Sequence, residues 1–149
     1  MRFVVLIPTY NESDSIVELL ERLSTLHNTY ALDVIVIDDN SPDTTGDIVD
    51  NLNLSWVSVL RRVKKDGLGN AYRAAIREIL NLDKHSHIIS MDADGSHQVA
   101  DLEKLIIEAG KNPGSVILGT RWMEGGSVVN WPRYRQFLSR DRKSTRLNS

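Results

Sequence analysis

Two aspartates separated by one residue, Asp92 and Asp94, are the most distinctive chemical feature of the sequence. They follow an apolar run at residues 87–91 that is typical of a buried strand. Hard divalent cations such as Mg²⁺ or Mn²⁺ prefer oxygen ligands and keep one or two protein carboxylates beside phosphates and water. The same turn could instead only start the next helix, because aspartate and serine are favoured there as caps. The other strand ends favour the metal site.

Polar segments also follow other apolar runs. The runs at residues 3–7, 34–37 and 116–118 end in Pro8-Thr9-Tyr10-Asn11-Glu12, Asp38-Asp39 and Gly119-Thr120-Arg121, respectively. Tyr10 offers an aromatic face for a nucleobase, Glu12 a carboxylate for its edge, and Asp38-Asp39 acceptors for base or ribose. Each segment has a purely structural alternative, either packing of Tyr10 at a helix entry or ordinary aspartate turn chemistry. Four such strand ends together favour a ligand site.

These segments need a scaffold that brings strand ends to one edge. The hydrophobic pattern predicts five strands, at residues 3–7, 34–37, 56–60, 87–91 and 116–118, alternating with helices. This order predicts an α/β fold with a doubly wound, mainly parallel sheet. In such sheets ligands bind beyond the carboxyl ends of the strands, which is where the polar segments lie.

The glycine-containing segment Gly67-Leu68-Gly69 is not a dinucleotide-binding fingerprint. It lacks the third glycine and follows the third predicted strand instead of the first, which itself ends in Pro8. We therefore expect a tight loop close to a ligand or to neighbouring backbone. Trp56 is predicted to be a core residue, and three histidines are predicted at the surface or at strand edges: His27, His85 and His87.

The composition is that of a soluble globular chain. The 149 residues are 41% hydrophobic and 26% charged, which is enough for one domain with a single core. No apolar run approaches the roughly 20 residues that span a bilayer. The first residues lack a signal-peptide pattern, and the absence of cysteine excludes disulfides and thiolate metal sites, as is usual in a reducing cytoplasm.

Charge is distributed unevenly along the chain. Residues 121–149 contain seven lysines and arginines against two carboxylates, a net charge of +5, so residues 1–120 carry −7 of the total of −2. A basic end suits an anionic ligand or a membrane surface. For the last four charges, a solvated tail is an equally good interpretation.

Taken in order, these segments resemble a known family, the family-2 glycosyltransferases of the GT-A fold, and within it the dolichol-phosphate mannose synthases. The similar segments are Ile7-Pro8-Thr9-Tyr10-Asn11-Glu12, Asp38-Asp39-Asn40-Ser41-Pro42-Asp43, Gly67-Leu68-Gly69-Asn70-Ala71-Tyr72 and Met91-Asp92-Ala93-Asp94-Gly95-Ser96-His97. The first and last occur widely in the superfamily. The glycine segment and a series from Gly119 to Ser139 narrow the resemblance to this branch, and it covers residues 3 to about 140.

The resemblance implies a role for each matching position. The residues that would hold the donor nucleotide are Pro8, Tyr10, Glu12, Ile37 and Asp39. Asp92, Ala93 and Asp94 would line the diphosphate, with both aspartates binding Mg²⁺ or Mn²⁺ and Asp94 as the principal ligand. Arg121, Arg135 and Ser139 would meet the donor diphosphate or a lipid phosphate, a task that suits the forked hydrogen bonding of arginine.

The implied reaction is the inverting transfer of mannose from GDP-mannose to a polyprenyl (dolichyl) phosphate. The enzyme would be cytoplasmic, in peripheral contact with the cytoplasmic membrane face, without a nucleic-acid partner. A phosphate nucleophile is already anionic, so no strong general base is required. Two alternatives stay open: a related transferase with a UDP-sugar donor or saccharide acceptor, and an inactive nucleotide-sugar-binding fragment.

The resemblance also predicts the domain boundaries. We expect residues 1–140 to form one catalytic domain whose acceptor side is incomplete. Residues 141–149 lie beyond the resemblance, and we expect them to be a non-native or disordered tail.

Overall fold

The computed structural model describes residues 1–119, which contain a sheet of four parallel strands. The strands are β1 (Phe3–Thr9), β2 (Leu32–Asp38), β3 (Val57–Arg61) and β4 (His87–Ser90), and their spatial order is β3-β2-β1-β4. The chain order differs from the spatial order, as crossover connections between parallel strands require. The predicted α/β class with a mainly parallel sheet is confirmed.

Four helices connect and cover the strands: α1 (Ile16–Thr29), α2 (Thr45–Asn51), α3 (Leu68–Leu82) and α4 (Val99–Lys111). Alternate residues of the strands point to opposite faces of the sheet. On one face, Phe3, Val5 and Ile7 join a core cluster with residues of α1 and α4. On the other face, Val4 and Leu6 pack with residues of α3. The sheet is therefore covered on both sides, as in a doubly wound fold.

The central strand β1 is the most deeply buried element. Residues 4–7 are all 0% exposed. Each fully buried aliphatic side chain contributes about 1.5–3 kcal/mol relative to an exposed one, so this strand fixes the position of its own carboxyl end. Polar residues that follow β1 consequently start from a rigid point in the fold.

Two predictions about local structure are wrong. Residues 116–119 form no strand, and Val116 and Leu118 are 84% and 78% exposed, because the short apolar run has no ladder partner among the described residues. The expected glycine loop is instead a helix start, since α3 begins at Leu68. Its N-cap Gly67 has a φ of +105°, a conformation that favours glycine.

The predictions for Trp56 and His87 are confirmed, whereas the prediction for His85 is wrong. Trp56 is buried, as expected, with the ring of His27 stacked 4.8 Å away, centroid to centroid. His87 is the first residue of β4, which is the outermost strand on its side of the sheet within residues 1–119, also as expected. The surface position expected for His85 is wrong, because its side chain is 4% exposed and its Nε2 lies 2.8 Å from an Asp33 oxygen.

The chain divides into two compact units, Met1–Ser115 and Val116–Ser149. All eight helices and strands belong to the first unit, and the described part of the second, residues 116–119, has no regular structure. Within residues 1–119 no helix combines the length and apolarity needed to cross a bilayer.

Candidate functional site

The carboxyl ends of all four strands lie at one edge of the sheet, because the strands are parallel. Backbone hydrogen bonds continue past the strand ends: Asp39 N donates to Thr9 O (3.1 Å), Arg62 N to Asp38 O (2.8 Å) and Met91 N to Leu6 O (3.0 Å). Neighbouring strands are about 4.8 Å apart, so the four ends span roughly 15 Å. The segment after β1 therefore lies between that after β2 and that after β4.

The turn after β4 presents two carboxylates to solvent. Met91 and Ala93 are buried at 2% and 3%, while the intervening Asp92 and the following Asp94 are exposed. Gly95 has a φ of +72°, and Ser96 N donates a hydrogen bond of 2.9 Å to Asp94 Oδ1. The two apolar residues thus anchor the turn in the core while the aspartates face outward.

These carboxylates suit a hard divalent cation in type and number. Mg²⁺ is commonly bound by one or two protein carboxylates together with phosphate oxygens and water. Within residues 1–119, no group of three or more His, Cys, Asp and Glu side chains converges to hold a metal. A cation at this turn would therefore take the Asp92 and Asp94 oxygens from the described residues and complete its shell with other oxygens.

The first unit has a pocket of about 240 Å³ next to this turn. One side of the pocket is formed by Ala93, Asp94 and Gly95. The other side is formed by residues just before α1 and in its first turns, namely Asp14, Ser15, Glu18, Leu19 and Arg22. Asp94 therefore borders a concave surface, as expected for a residue that binds a ligand.

Tyr72, the last residue of the glycine-containing segment, lies beside Asp92 in the turn after β4. Burial and the negative charge of Asp92 raise the pKa of the Tyr72 phenol, against the effect of a hydrogen bond with Ser90, which lowers it. The phenol therefore stays protonated at neutral pH. This contact connects α3 with the end of β4.

Asp39, after β2, is paired with an arginine. Arg62 Nη1 donates to Asp39 Oδ1 at 2.6 Å, and the two side chains are 11% and 8% exposed. Arg62 Nη2 also donates to Asp66 Oδ1. A carboxylate predicted to bind the donor nucleoside is therefore held by the nearly buried guanidinium of the residue that follows β3.

The carboxylates of Asp38, the last residue of β2, and of Asp43, in the segment that follows, accept hydrogen bonds from the chain itself. Asp38 is 4% exposed and accepts hydrogen bonds from Thr9 Oγ1 and Ser41. Burial alone would raise the pKa of Asp43, but hydrogen bonds from Thr45 and Ser13 outweigh it and lower the pKa to about 2. Both residues thus fix the turn that holds Asp39.

The segment after β1 brings Tyr10 and Glu12 to the same edge. Tyr10 is 38% exposed, and the ammonium of Lys65 lies 4.0 Å from its ring centroid, a cation–π contact. Glu12 N donates to Thr45 Oγ1 (3.0 Å), and its Oε2 accepts from Ser15 Oγ (2.9 Å). An aromatic face and a carboxylate are therefore present where the sequence predicted them.

Three of the predicted donor-binding residues contribute little side-chain surface. Ile37 is 0% exposed and Ala93 3%, so their side chains belong to the core and only their backbones could touch a nucleotide. Pro8 is half-buried and pairs with Ile37 in the register of β1 and β2. The predicted phosphate-binding residues Arg121, Arg135 and Ser139 lie outside the described residues, as does the predicted tail at 141–149.

Sequence reasoning overlooked the segment after β3. Residues 61–66, Arg61-Arg62-Val63-Lys64-Lys65-Asp66, contain four cations and end at the same edge as the predicted site. The rule that ligands bind beyond strand ends, applied to the third strand, would have singled out this segment. Its contribution to the site, through Arg62 and Lys65, became clear only from the contacts.

The sequence matches the model of the family described as "Glycosyl transferase family 2" over residues 4–149. It is 43% identical over 141 residues to an undecaprenyl-phosphate mannosyltransferase of Micrococcus luteus, covering 93% of this chain and 56% of the relative. It is 36% identical over 141 residues to a dolichol-phosphate mannosyltransferase of Pyrococcus furiosus, covering 94% and 39%. The polyprenol monophosphomannose synthase of Mycolicibacterium smegmatis is 38% identical over 144 residues, covering 93% and 52%.

Two solved structures show the same fold. Mannosyltransferase PcManGT from Pyrobaculum calidifontis, in complex with GDP-Man and Mn²⁺, superimposes with a TM-score of 0.54 at 26% identity, covering 62% of this chain and 27% of that one. Residues 1–349 of S. aureus TarS superimpose with a TM-score of 0.61 at 22% identity, covering 83% and 40%.

Apart from Phe3, the first residue of β1, the matched residues include every strand and helix of the described part and the polar segments at the sheet edge. The chain spans 39–56% of the length of the three mannosyltransferase relatives. On the family match, this chain belongs to glycosyl transferase family 2.

Proposed function

We propose that the protein transfers mannose from GDP-mannose to the phosphate of a polyprenol, with inversion at the sugar. The observation that carries the proposal is the convergence of Tyr10, Asp39 and the Asp92–Asp94 turn at one edge of the sheet. The three mannosyltransferase relatives bear names for mannosyl transfer to lipid phosphates. These relatives support the substrate assignment.

The nucleoside would bind at the ends of β1 and β2. The half-exposed ring of Tyr10 offers a stacking face, and the carboxylate of Asp39 accepts a hydrogen bond from base or ribose. Glu12 lies on the same segment, with its backbone N–H fixed by Thr45. The diphosphate would then extend across β1 toward Asp92 and Asp94.

The cation we propose at that turn is Mg²⁺ or Mn²⁺, held by Asp92 and Asp94. When bound, such a cation neutralises charge on the diphosphate and improves it as a leaving group. The PcManGT complex contains Mn²⁺ with GDP-Man, and this supports the use of a divalent ion. The chain's own contribution is a turn whose buried Met91 and Ala93 hold both carboxylates in place.

The transfer is a direct displacement at the anomeric carbon. An oxygen of the lipid phosphate forms the new bond to that carbon while the bond to the diphosphate oxygen breaks. The electron pair of that bond leaves with GDP. Since the attacking phosphate is already anionic, rate acceleration would rest on positioning and charge stabilisation.

The acceptor side of the proposal involves residues outside the described part of the chain. Arg121, Arg135 and Ser139 are proposed to bind the donor diphosphate or the lipid phosphate. A polyprenyl phosphate lies in a membrane, so we propose a peripheral position at the cytoplasmic membrane face. The net charge of +5 over residues 121–149 would favour an anionic surface.

A transfer assay with labelled GDP-mannose tests this function. The chain would be assayed alone and joined to the C-terminal segment of the Micrococcus luteus relative, with undecaprenyl phosphate, Mn²⁺ and a parallel saccharide acceptor. We expect label in an organic-soluble mannosyl lipid from the extended chain. Label that enters only the saccharide, or donor binding by the extended chain without any mannosyl lipid, would contradict the proposal.

A further inference from the structure

We propose that Arg62 is a positioning residue that fixes Asp39 for the donor nucleoside and ties it to the start of α3. The inference rests on the proposed function, because it concerns how the donor site is held. It assigns a role to the segment after β3, for which neither the motifs nor the proposed reaction gave one.

Arg62 is held both at its backbone N–H and at its guanidinium. Its backbone N–H extends the ladder by donating to Asp38 O (2.8 Å), which places the side chain beside the end of β2. One arm of the guanidinium donates to Asp39 Oδ1 (2.6 Å) and the other to Asp66. The planar fork of arginine can meet two carboxylates at once, which the single ammonium of lysine cannot do in a fixed geometry.

This contact decides which atom of Asp39 a ligand can use. A carboxylate at 8% exposure is costly to bury unless a cation and hydrogen bonds compensate for lost water. Arg62 binds Oδ1, and within residues 1–119 no hydrogen bond reaches Oδ2. The guanidinium thus orients the carboxylate, with one oxygen left for a hydroxyl or amine of the nucleoside.

The second arm of Arg62 connects this site to α3. Asp66 O accepts from Asn70 Nδ2 (3.1 Å), and the N–H groups of Asn70 and Ala71 donate to Gly67 O in the first turn of the helix. Burial would lower the pKa of Arg62, but its contacts with Asp66 and Asp39 outweigh this and raise it. The guanidinium is therefore permanently charged. Tyr72 of α3 lies beside Asp92. Arg62 is therefore linked through Asp66 and α3 to the Asp92–Asp94 turn.

Its neighbour Arg61 provides a matched control. Arg61 pairs with Asp47 (2.8 Å) and Asp50 (2.5 Å) on α2, and its side chain is 47% exposed. The two arginines are adjacent, carry the same charge and each bind two aspartates. Only Arg62 contacts a predicted donor-binding residue, so the two replacements separate a positioning role from a general loss of an ion pair.

The test is calorimetric titration of the full chain with GDP and with pyrophosphate, both in the presence of Mn²⁺. In Arg62→Met we expect GDP affinity to fall about tenfold or more, the effect of losing one charged hydrogen bond, while pyrophosphate affinity stays within about twofold. Arg61→Met should leave both affinities within about twofold of wild type, and Arg62→Lys should recover part of the loss. In an Asp39→Asn background, Arg62→Met should cost less than about twofold, because its effect passes through Asp39.

Three results would overturn the role of Arg62 while leaving the proposed function intact. These are unchanged GDP affinity in a folded Arg62→Met variant, an equal loss for GDP and pyrophosphate, and a full loss in the Asp39→Asn background. If Arg62→Met does not fold, Asp66→Asn replaces it, with an expected loss of about threefold for GDP alone; no loss would overturn the inference. A wild-type chain that does not bind GDP with Mn²⁺ would remove the proposed function, and the inference with it.

Discussion

The two edges of the sheet both carry aspartates but use them differently. At the amino edge, Asp33 of β2 meets Lys84 Nζ and His85 Nε2, each at 2.8 Å, and Arg2 Nε at 3.7 Å. At the carboxyl edge, Asp92 is 53% exposed on its side chain, with His97 Nε2 at 3.9 Å. The first carboxylate is surrounded by cations of the chain itself, whereas the second is largely exposed to solvent.

The difference indicates which carboxylates stabilise the fold and which face a ligand. Burial would raise the pKa of Asp33, but hydrogen bonds from Lys84 and His85 outweigh it and lower the pKa. The ionised form of Asp33 is thus stabilised by side chains of the protein itself, without a ligand. We expect changes at the amino edge to alter stability without donor binding, and changes at Asp92 or Asp94 to do the reverse.

The largest expected effect is that of Asp94→Ala on donor binding. The loss of the principal proposed metal ligand should weaken Mn²⁺-dependent GDP-mannose binding by about 100-fold or more. The unfolding free energy should stay within about 0.5 kcal/mol, because the residue is exposed. Asp101→Ala, at another exposed aspartate in the first turn of α4, is the control. Unchanged donor affinity in Asp94→Ala would remove this residue from the site.

Asp33→Asn tests the opposite edge. The substitution removes the charge that pairs with Lys84 and His85, and we expect the unfolding free energy to fall by about 1–3 kcal/mol. Denaturant unfolding would measure the loss, and calorimetry should show donor affinity within about twofold of wild type. A variant that loses donor binding while its stability is unchanged would contradict the roles assigned to the two edges.

Asp43 lies near the carboxyl edge, but its carboxylate is hydrogen-bonded to Thr45 and Ser13 of the chain itself, so it should affect stability as Asp33 does. Its folded pKa of about 2 is below its ordinary value of 3.8, so its contribution to stability is complete above about pH 4. The contribution is lost as the pH falls through about 2, since the unfolded chain binds the proton first. Asp43→Asn should lower the unfolding free energy by about 1–2 kcal/mol at neutral pH and reduce the decline between pH 4 and 2. An unchanged acid profile in the variant would contradict this assignment.

The smallest effect is expected from Lys65→Met. The variant loses the cation–π contact with Tyr10 but keeps a side chain of similar length. At an exposed site this contact is worth about 0.5–1 kcal/mol, so GDP affinity should change by no more than about fivefold. Lys64→Met, at the neighbouring position, is the control. A change above about 100-fold would mean that Lys65 binds the donor directly.

The buried strands, and the gathering of polar segments at their carboxyl ends, were predictable from the sequence. The apolar runs of β1 and β2 are unbroken because both faces of those strands are covered, and the polar residues after them mark the ligand edge. This reasoning singled out Asp39, Asp92 and Asp94 as candidate ligand-binding residues, and the structure places them at that edge; their role in binding stays a prediction.

Long-range pairing was not predictable. The apolar run at 116–118 looked like a strand, but a strand also requires a ladder partner, which periodicity does not encode. Arg62 and Asp39 are 23 residues apart, and His85 and Asp33 are 52 apart. No local spacing relates such partners, so their contacts and the burial of His85 follow only from the topology of the sheet.

The proposal depends most on a cation that joins the Asp92–Asp94 turn to a nucleotide diphosphate at this edge. The direct measurement is calorimetric titration of the full chain with GDP-mannose and with UDP-glucose, each with Mn²⁺ and with a chelator. We predict that GDP-mannose binds about tenfold or more tightly with Mn²⁺ than without it, and more tightly than UDP-glucose. Donor binding that is indifferent to the cation would contradict the metal site, and tighter binding of UDP-glucose would contradict the mannose assignment.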